Sequence, residues 1–485
     1  MRGRVKNDNR PDYDSDRILV STKAKIAFGM GGSAENAVLI AFNTFNFLFY
    51  NGVLGLSGTL CGLAISIALV INAVADPIVG MISDRFHSRL GRRHPFIYLS
   101  AIPFGLFFFL IYSPPEGIHG YALFAWFVIF STLLNISKAF YQIPHLALGA
   151  ELSKGYHQRS AITSYKMLLS VLGAAITYFF AWTYFNNEGG VDSAETGSFQ
   201  LIGLTVGIFA TAAMLSTAHF TRQYIPRLGA APPRTRLSLK TIYILVRNCL
   251  RNRNLVYLVA GMALFNLTMG IRDSIHSYMN LYYWVLDEGQ IRFFGAAVIP
   301  GALLAFIIAP LSHRRFAKHS VAMFSIFFAI LAAALPVLLR MTDLMPENEN
   351  PALFSIILIA ILTWYTCYFV YIISMMSALA DVADENEIHT DLRQEGMIFS
   401  IRTFFGKLST GLGSLVAGVY IDLIGFPAGQ RSSEIEPEVV YKLGILDGAI
   451  AIIPALLTLY FLSRYDINHE RHREINSVLA LKKGR

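Results

Sequence analysis

Residues 76 to 96 read DPIVGMISDRFHSRLGRRHPF. An apolar segment with one carboxylate, Asp76, runs into a turn that holds four arginines and Gly91, and a second apolar segment begins at Pro95. Positively charged loops between apolar helices stay on the cytosolic side of a membrane. The stretch therefore predicts two membrane-spanning helices that are joined by a short, basic cytosolic loop.

The composition of the whole chain agrees with a membrane protein. Its 485 residues are 54% hydrophobic and 15% charged, whereas soluble domains carry about 25% charged residues. This excludes a disordered chain and disfavours a soluble multidomain enzyme. The three cysteines, Cys61, Cys249 and Cys367, are far apart and have neither metal-ligand spacing nor a disulfide pattern. We expect no metal site and no organic cofactor.

Twelve segments are apolar enough to be read as membrane spans, each of which needs about 20 residues. They follow a polar stretch, residues 1–25, that has no signal-peptide core. The predicted spans are 26–50, 53–82, 95–113, 120–150, 161–185, 200–220, 254–286, 293–312, 320–340, 351–380, 395–424 and 443–463.

The charges in the loops predict an orientation. With the N-terminal tail inside, the cytosolic segments hold 31 lysines and arginines, and the external segments hold at most 4 together with 12 acids. The positive-inside rule then places both termini in the cytosol. Most of the net charge of +8 is thus explained by the cytosolic loops, which set the orientation in the membrane. We therefore expect a lipid bilayer and no nucleic acid as partner.

The longest cytosolic loop divides the chain into two sets of six spans. The predicted division is an N-tail (1–25), an N-terminal half (26–220), a central loop (221–253), a C-terminal half (254–464) and a C-tail (465–485). A repeated spacing supports two related halves, since Glu151 and Arg159 follow span four as Glu385 and Arg393 follow span ten. Two such halves around a midplane site are a transporter architecture.

The opening stretch resembles the glycoside–pentoside–hexuronide:cation symporters, a branch of the major facilitator superfamily typified by the melibiose permease. The resemblance covers residues 22–465 and implies an all-α integral membrane protein with twelve transmembrane helices in two pseudo-symmetric six-helix halves. Two more motifs carry it: Ile143-Pro144…Ala147-Leu148-Gly149…Glu151-Leu152…Arg159 and Ala380-Asp381…Asp384…Arg393…Glu395-Gly396…Ser400…Lys407.

The charged turns of these motifs are predicted to be a cytosolic latch. Their ion pairs with neighbouring helices would break as the halves rock, in addition to setting topology. We expect the turn between spans two and three to stay away from the substrate. The predicted latch residues are Asp84, Arg85, Arg89, Arg92, Arg93, Glu151, Arg159, Asp384 and Arg393.

Charges at membrane depth are costly and indicate function or pairing. Asn72 and Asp76 lie one helical turn apart on the second span, where the family has carboxylates that coordinate the coupling cation. Because only Asp76 keeps the acid, proton and sodium coupling both stay open. Lys407 matches a family lysine, and we expect it to face Asp76. The alternative is that Asp76 is a permanent salt-bridge partner.

Three further polar residues, together with Lys407, are candidates for substrate binding by resemblance or by position. Lys166 matches a family arginine that contacts sugar hydroxyls, and Asn36 and Gln142 replace family carboxylates. Lys407 is expected to face both the cation and the substrate. Leu146 stands where the family has a sugar-stacking tryptophan, which argues against a melibiose-like galactoside. For Asn36 and Gln142, hydrogen bonding between helices is the alternative.

The seventh span adds a second candidate group. Arg272 and His276 share a helix face and could bind a substrate carboxylate, or they belong to a salt-bridge network. Tyr278, Tyr282, Tyr283 and Trp284 follow as an aromatic belt or as platforms for sugar rings. Glu35, Lys138 and Asp273 receive no role from the sequence.

The function that we predict is cation-coupled symport of a sugar or glycoside by alternating access, with H⁺ or Na⁺ as the coupling ion. The same fold with a lysophospholipid substrate is the main alternative. The sequence has no HExxH, GxSxG or Walker pattern for a membrane enzyme, and no evident channel filter. Gly29, Gly31 and Gly32 indicate helix packing. We expect a monomer in a bacterial inner membrane.

Overall fold

The structure is a computed structural model that describes residues 20–153, 156–187, 196–227, 246–390, 394–428 and 435–483. Throughout these ranges the regular structure is helical. The principal helices are α1 (Thr22–Phe47), α2 (Gly58–Arg85), α3 (His94–Ile111), α4 (Gly120–Glu151), α5 (Tyr156–Asn187), α6 (Thr196–Thr221), α7 (Arg253–Tyr278), α8 (Glu288–His313), α9 (Lys318–Met341), α10 (Pro351–Thr390), α11 (Glu395–Leu423), α12 (Pro437–Ile445), α13 (Ile452–Ser463) and α14 (His469–Lys483).

Eleven of the predicted spans are helices long and apolar enough to cross a membrane, with α12 and α13 forming one of them. The remaining predicted span is α1, which has 26 residues. It is less apolar because it carries lysines, Glu35 and several amides. Turns of π-helix continue α1 (Leu48–Val53) and α7 (Met279–Tyr283) and join α12 to α13 (Leu446–Ile450).

Two elements differ from the sequence-based expectation. Helix α10 continues to Thr390, ten residues past the predicted end of the tenth span. The prediction ended too early because the last turns of the helix are acidic and have the composition of a loop. Part of the predicted C-tail is the helix α14, which packs on α10. There Arg471 lies 3.9 Å from the Glu385 carboxylate, and Lys482 donates to the carbonyl of Ile388.

The packing of the helices repeats with a period of six. Helix α1 packs on α5 and α6, α2 on α4, and α3 on α4 and α6. Six spans later, α7 packs on α11 and α13, α8 on α10, and α9 on α10 and α13. The contacts α2–α11 and α5–α8 join the two sets and are themselves related by the repeat. This correspondence supports the division into halves; the exact domain bounds stay a prediction, and residues 228–245 of the central loop lie outside the described residues.

Gly29 and Gly32 of the first span pack against α5, and Gly31 packs against α4 and α6, which confirms the helix-packing interpretation. A Cβ on Gly29 would lie 2.8 Å from the backbone oxygen of Tyr165, and one on Gly32 would lie 2.4 Å from Ser170 Oγ. The close approach of α1 and α5 therefore requires the missing side chains.

The two halves meet closely at the helix ends that lie away from the chain termini, a region that we call the far side. A Cβ on Gly62 of α2 would lie 2.4 Å from the Ser414 carbonyl oxygen of α11. Asp422 of α11 accepts the backbone N–H groups of Gly58 and Thr59 at 2.7 and 2.8 Å. Its carboxylate thus caps the positive N-terminus of α2 from the other half.

Helices α1 and α7 also join on the far side. Ser277 Oγ donates to the Thr44 carbonyl at 2.6 Å, and Tyr278 Oη donates to Asn51 Oδ1 at 2.7 Å. Tyr278, Tyr282, Tyr283 and Trp284 are all buried within the protein. The prediction of an aromatic belt for these residues is therefore wrong, because their rings pack between helices.

We expect Gly62→Val to hinder closure of the far side, because the new side chain would meet the backbone of α11. Ser66, one turn further along α2, is buried against Gly411 and reports on this contact. In a Ser66→Cys background in which Cys61, Cys249 and Cys367 are replaced by alanine, alkylation by a small maleimide should increase in the Gly62→Val variant.

The matched control is Gly197→Ala, where an added Cβ meets nothing within 4 Å. Alkylation of the Ser66→Cys thiol that stays unchanged in the Gly62→Val variant would contradict the tight far-side contact.

Candidate functional site

An ion pair between the halves lies at the centre of the site. Asp76 on α2 accepts from Lys407 on α11, with 2.5 Å between Oδ2 and Nζ. Their side chains are 13% and 17% exposed, and the second carboxylate oxygen of Asp76 is buried without a hydrogen-bond partner. The predicted facing of Asp76 and Lys407 is confirmed. Whether the pair couples an ion to transport stays a prediction.

The amide next to this pair holds α2 against α4. Asn72 Nδ2 donates to the backbone oxygen of Asn135 at 2.9 Å, and Asn72 itself is buried. Its predicted role as a cation ligand is not tested by this contact. Lys138 follows Asn135 by one turn and interacts electrostatically with Asp76, Lys407 and Glu35.

A second polar cluster joins α1 to α4. Glu35 is 5% exposed, and its Oε1 lies 3.0 Å from His145 Nδ1. His145 Nε2 lies 3.0 Å from the backbone oxygen of Phe28, while Gln142 donates to the other Glu35 oxygen at 3.4 Å. His145 is not among the residues predicted from the sequence. Its position three residues after Gln142, hence on the same helix face, was the available signal.

Two more predicted substrate residues lie around this cluster. Lys166 of α5 is half-buried and acts electrostatically on Glu35. Its side chain packs where a Cβ of Gly32 would be. Asn36 donates to the Gly32 carbonyl of its own helix at 3.1 Å. Gln142, in contrast, bonds across helices to Glu35. For Asn36 both interpretations stay predictions.

The second half contributes a cluster around Arg272. Arg272 Nη1 lies 3.0 Å from an oxygen of Asp447, and its guanidinium is 4.9 Å from the centre of the Trp364 ring. Asp273 instead accepts from Asn43 of α1 at 3.0 Å. His276 Nε2 lies 3.2 Å from Tyr178 Oη of α5. Adjacent Arg272 and Asp273 thus have different partners, and Asp447 and Trp364 are site residues that the sequence did not reveal.

These groups surround a cavity between the halves. Its volume is about 150 Å³, and its polar lining includes Asn43, Arg272, Asp273, His276 and Asp447, with Trp364 and Trp284 as aromatic walls. A neighbouring cavity of about 110 Å³ is lined by Glu35, Asn46, Lys138 and Asp273. Because Asn43 and Asp273 line both cavities, the two spaces adjoin.

The predicted latch residues of the first half pair with one another. Arg92 and Arg93 both contact Glu151, at 2.8 and 3.1 Å, and Arg93 also contacts Asp84 at 2.5 Å. Arg159 donates to the backbone oxygens of Ser153 and Ala150. These contacts tie the starts of α3 and α5 to the ends of α2 and α4.

The other latch residues are placed as follows. Arg85, at the end of α2, and Arg89 in the following turn are exposed, Asp384 is half-buried on α10, and Arg393 lies outside the described residues. In the second half, Lys318 and Asp381 join the start of α9 to α10 at 2.7 Å, where Arg93 and Glu151 join α3 to α4 in the first.

Known proteins share both the sequence pattern and the architecture. Residues 27–469 match the family described as MFS/sugar transport protein. The isoprimeverose transporter of Lactiplantibacillus pentosus is 21% identical over 86% of this chain and 83% of its own. A sodium-dependent lysophosphatidylcholine symporter of Danio rerio is 26% identical over 36% of this chain and 32% of its own.

Solved structures agree on the fold. A bacterial homologue of the human lysosomal transporter Spinster, in an inward-facing and unoccupied conformation, superposes with a TM-score of 0.64. It is 15% identical, over 94% of this chain and 97% of its own, and so shows the fold alone. Family and fold are those of membrane transporters and not of enzymes. The chain belongs to the glycoside–pentoside–hexuronide:cation symporter-like family of the major facilitator superfamily.

Proposed function

We propose that this protein carries a sugar or glycoside across the membrane together with a cation, by alternating access to the cavity between its halves. The observation that carries the proposal is the Asp76–Lys407 ion pair, which joins the halves. Thr410, one turn after Lys407 on α11, lines the smaller of the two adjoining cavities. An ion pair at this depth has a high energetic cost if either charge loses its partner. Its state therefore affects how readily the halves separate.

The lining of the cavity favours a polar substrate with many hydroxyl groups. Arg272 and Asn43 can donate hydrogen bonds, and Asp273 and Asp447 can accept them. Trp364 offers an aromatic face to the apolar side of a sugar ring, in the role that the first half lacks at Leu146. Arg272 and His276 are the substrate contacts in this half, and Lys166, Gln142 and Asn36 are those in the first half.

Coupling requires that the cation and the substrate favour the same conformations, since only a difference in affinity shifts a population. Asp76 has one carboxylate oxygen paired with Lys407 and one without a partner. A cation bound at Asp76, with Asn72 close by on the same helix, would weaken the pull of Asp76 on Lys407. The lysine would then be available to the substrate, which links the two binding events.

Rocking of the halves would use the far-side contacts as one gate. With the termini in the cytosol, the far side faces outward, and its tight α2–α11 and α1–α7 contacts correspond to a closed external gate. The ion pairs around Glu151 and Asp381 each join helices of the same half. We infer that they hold the cytosolic helix ends of that half as a rigid unit, in place of the predicted latch that breaks as the halves rock. We assign the protein to a bacterial inner membrane, as a monomer.

A lysophospholipid is the second candidate substrate. It is supported by the lysophosphatidylcholine symporter that shares about a third of this chain. The polar groups around Arg272 could bind a headgroup, but the cavity would also have to admit an acyl chain. The ring of charged and amide side chains makes the sugar or glycoside the better fit.

Purified protein in liposomes should take up a labelled glycoside, with isoprimeverose as the first probe, and should accumulate it only with a cation gradient. Lysophosphatidylcholine uptake is measured in parallel, each with an imposed sodium gradient and, separately, a proton gradient. Accumulation of the lysolipid alone would favour the second candidate, and uptake that ignores both gradients would contradict symport.

Substitution of the coupling residue should separate transport from accumulation. We expect Asp76→Asn to abolish gradient-driven accumulation while exchange of labelled for unlabelled glycoside continues, because the charge that senses the ion is lost. The control is Glu347→Gln, at an exposed position outside the site. Coupled accumulation by Asp76→Asn at the rate of the control would remove Asp76 from the mechanism.

Loss of the aromatic wall should weaken substrate binding. We expect Trp364→Ala to raise the KM for glycoside exchange by about tenfold, which corresponds to about 1.4 kcal/mol, because ring stacking is lost and Arg272 loses its support. Trp364→Phe keeps a ring and should recover most of the affinity. An equal KM in all three proteins would place the substrate elsewhere.

A further inference from the structure

Both ring nitrogens of His145 face hydrogen-bond acceptors. Nε2 lies 3.0 Å from the backbone oxygen of Phe28, and Nδ1 lies 3.0 Å from Glu35 Oε1. A backbone carbonyl can only accept, so Nε2 must carry a hydrogen to make its bond. The proton on the Glu35 side then lies either on Nδ1, as an imidazolium beside a carboxylate, or on Glu35, as a carboxylic acid beside a neutral ring.

Either arrangement contains two ionisable hydrogens for three positions: Nε2, Nδ1 and the Glu35 carboxyl. If one is removed, a single hydrogen remains for two contacts that both need a donor. One of the contacts would then bring two acceptors together in a buried site, which costs free energy. Full hydrogen bonding of this cluster thus requires one proton more than neutral histidine and ionised glutamate together carry.

We propose that the Glu35–His145 pair is the proton-binding site of this transporter, and that the coupling ion is therefore a proton. The inference rests on the proposed symport and identifies where its cation is held. In this inference the cation is held at Glu35–His145 in place of Asp76. Asp76 and Lys407 then respond to the proton through the charges between the two clusters.

The surroundings of the pair favour proton entry from the Glu35 side. His145 is fully buried, packed against Phe28 with 4.3 Å between ring centres and against Tyr141 at 5.0 Å. Glu35, in contrast, lines the smaller central cavity together with Lys138 and Asp273. The proton can thus reach Glu35 from the space that adjoins the proposed substrate site.

The groups that face the pair set its charge balance from every side. Helix α4 contributes Tyr141, Gln142 and Lys138, α5 contributes Lys166, α6 contributes the hydroxyl of Thr217 near Tyr141, and α7 contributes Asp273 across the cavity. Lys138 interacts with Glu35 and also with Asp76 and Lys407. A change of charge at Glu35–His145 therefore changes the electrostatic energy of Lys138, and Lys138 in turn acts on the Asp76–Lys407 ion pair.

Loss of the proton has a structural consequence in the first half. The contact of His145 with Phe28 and its contact with Glu35 both join α4 to α1. Without the proton only one of the two can persist, so the α1–α4 junction loosens beside the cavity. The protonated and deprotonated states of the pair thereby differ in how α1 packs on α4. Coupling requires such a difference, because a proton shifts the population of conformations only if it binds one of them more tightly.

The first test reads the proton directly and needs no substrate. The full chain, labelled with ¹⁵N-histidine, is reconstituted in liposomes and followed by solid-state NMR between about pH 5 and pH 8. His145 is assigned by its absence in His145→Gln. We expect Nε2 to stay protonated and the Nδ1 resonance to change in one step, as Nδ1 loses either its own proton or the proton that Glu35 donates to it. We expect Glu35→Gln to alter that step. A His145 signal that is independent of pH in the wild type and unchanged by Glu35→Gln would overturn the proposal.

The second test measures proton movement with isoprimeverose as the probe, in liposomes that contain a pH-sensitive dye. Wild-type protein should acidify the lumen as the sugar enters. His145→Gln should lose this proton uptake but keep exchange of labelled for unlabelled sugar. His219→Gln, at an exposed position on α6, is the matched control and should behave as the wild type.

The outcomes separate this inference from the proposed function. Proton uptake by His145→Gln equal to that of the control would overturn the proton site while symport stands. Absence of isoprimeverose transport in the wild type would count against the proposed substrate class, and the NMR titration then decides the proton site alone. If His145→Gln fails to fold, His145→Asn supplies the assignment, and the comparison of wild type with Glu35→Gln in the NMR titration decides between the two outcomes.

Discussion

The ion pair between Asp76 and Lys407 is the interaction around which the rest of the molecule is arranged. It joins α2 of the first half to α11 of the second at 2.5 Å, in surroundings where a lone charge would cost several kcal/mol. The same two helices approach at Gly62 and Ser414 on the far side. Helices α2 and α11 thus contact each other in two ways. At the far side the missing side chain of Gly62 lets the backbones approach, and nearer the cytosolic ends the Asp76–Lys407 ion pair joins them.

A line of charges connects this pair to the first half. Lys138 interacts electrostatically with Asp76 and Lys407 and also with Glu35. Glu35 in turn contacts His145, whose ring is held by Phe28. Buried charges interact more strongly than charges in water, so a proton gained or lost at one end changes the energy at the other. This arrangement suits a protein that must make two binding events depend on each other.

The six-helix repeat explains why similar devices occur twice. Arg93 and Glu151 join α3 to α4 at one end of the first half, and Lys318 and Asp381 join α9 to α10 in the second. Turns of π-helix continue both α1 and α7, the two helices that supply Glu35 and Arg272. The halves differ in the adjoining cavities, where the first supplies Glu35 and Lys138, and the second supplies Arg272, Asp273, Trp364 and Asp447.

The approximate positions of the spans, the family motifs and the set of charges at membrane depth could all be predicted from the amino-acid sequence, because hydropathy and loop charge are local properties. The facing of Asp76 and Lys407 was also predictable, through resemblance. The continuation of α10 through its acidic turns was not, since a solvated amphipathic helix and a polar loop share a composition. The partners of Glu35 and Arg272 emerge only in the folded molecule. Glu35 and His145 are 110 residues apart, and which buried charges meet depends on how each helix is rotated and packed against its neighbours.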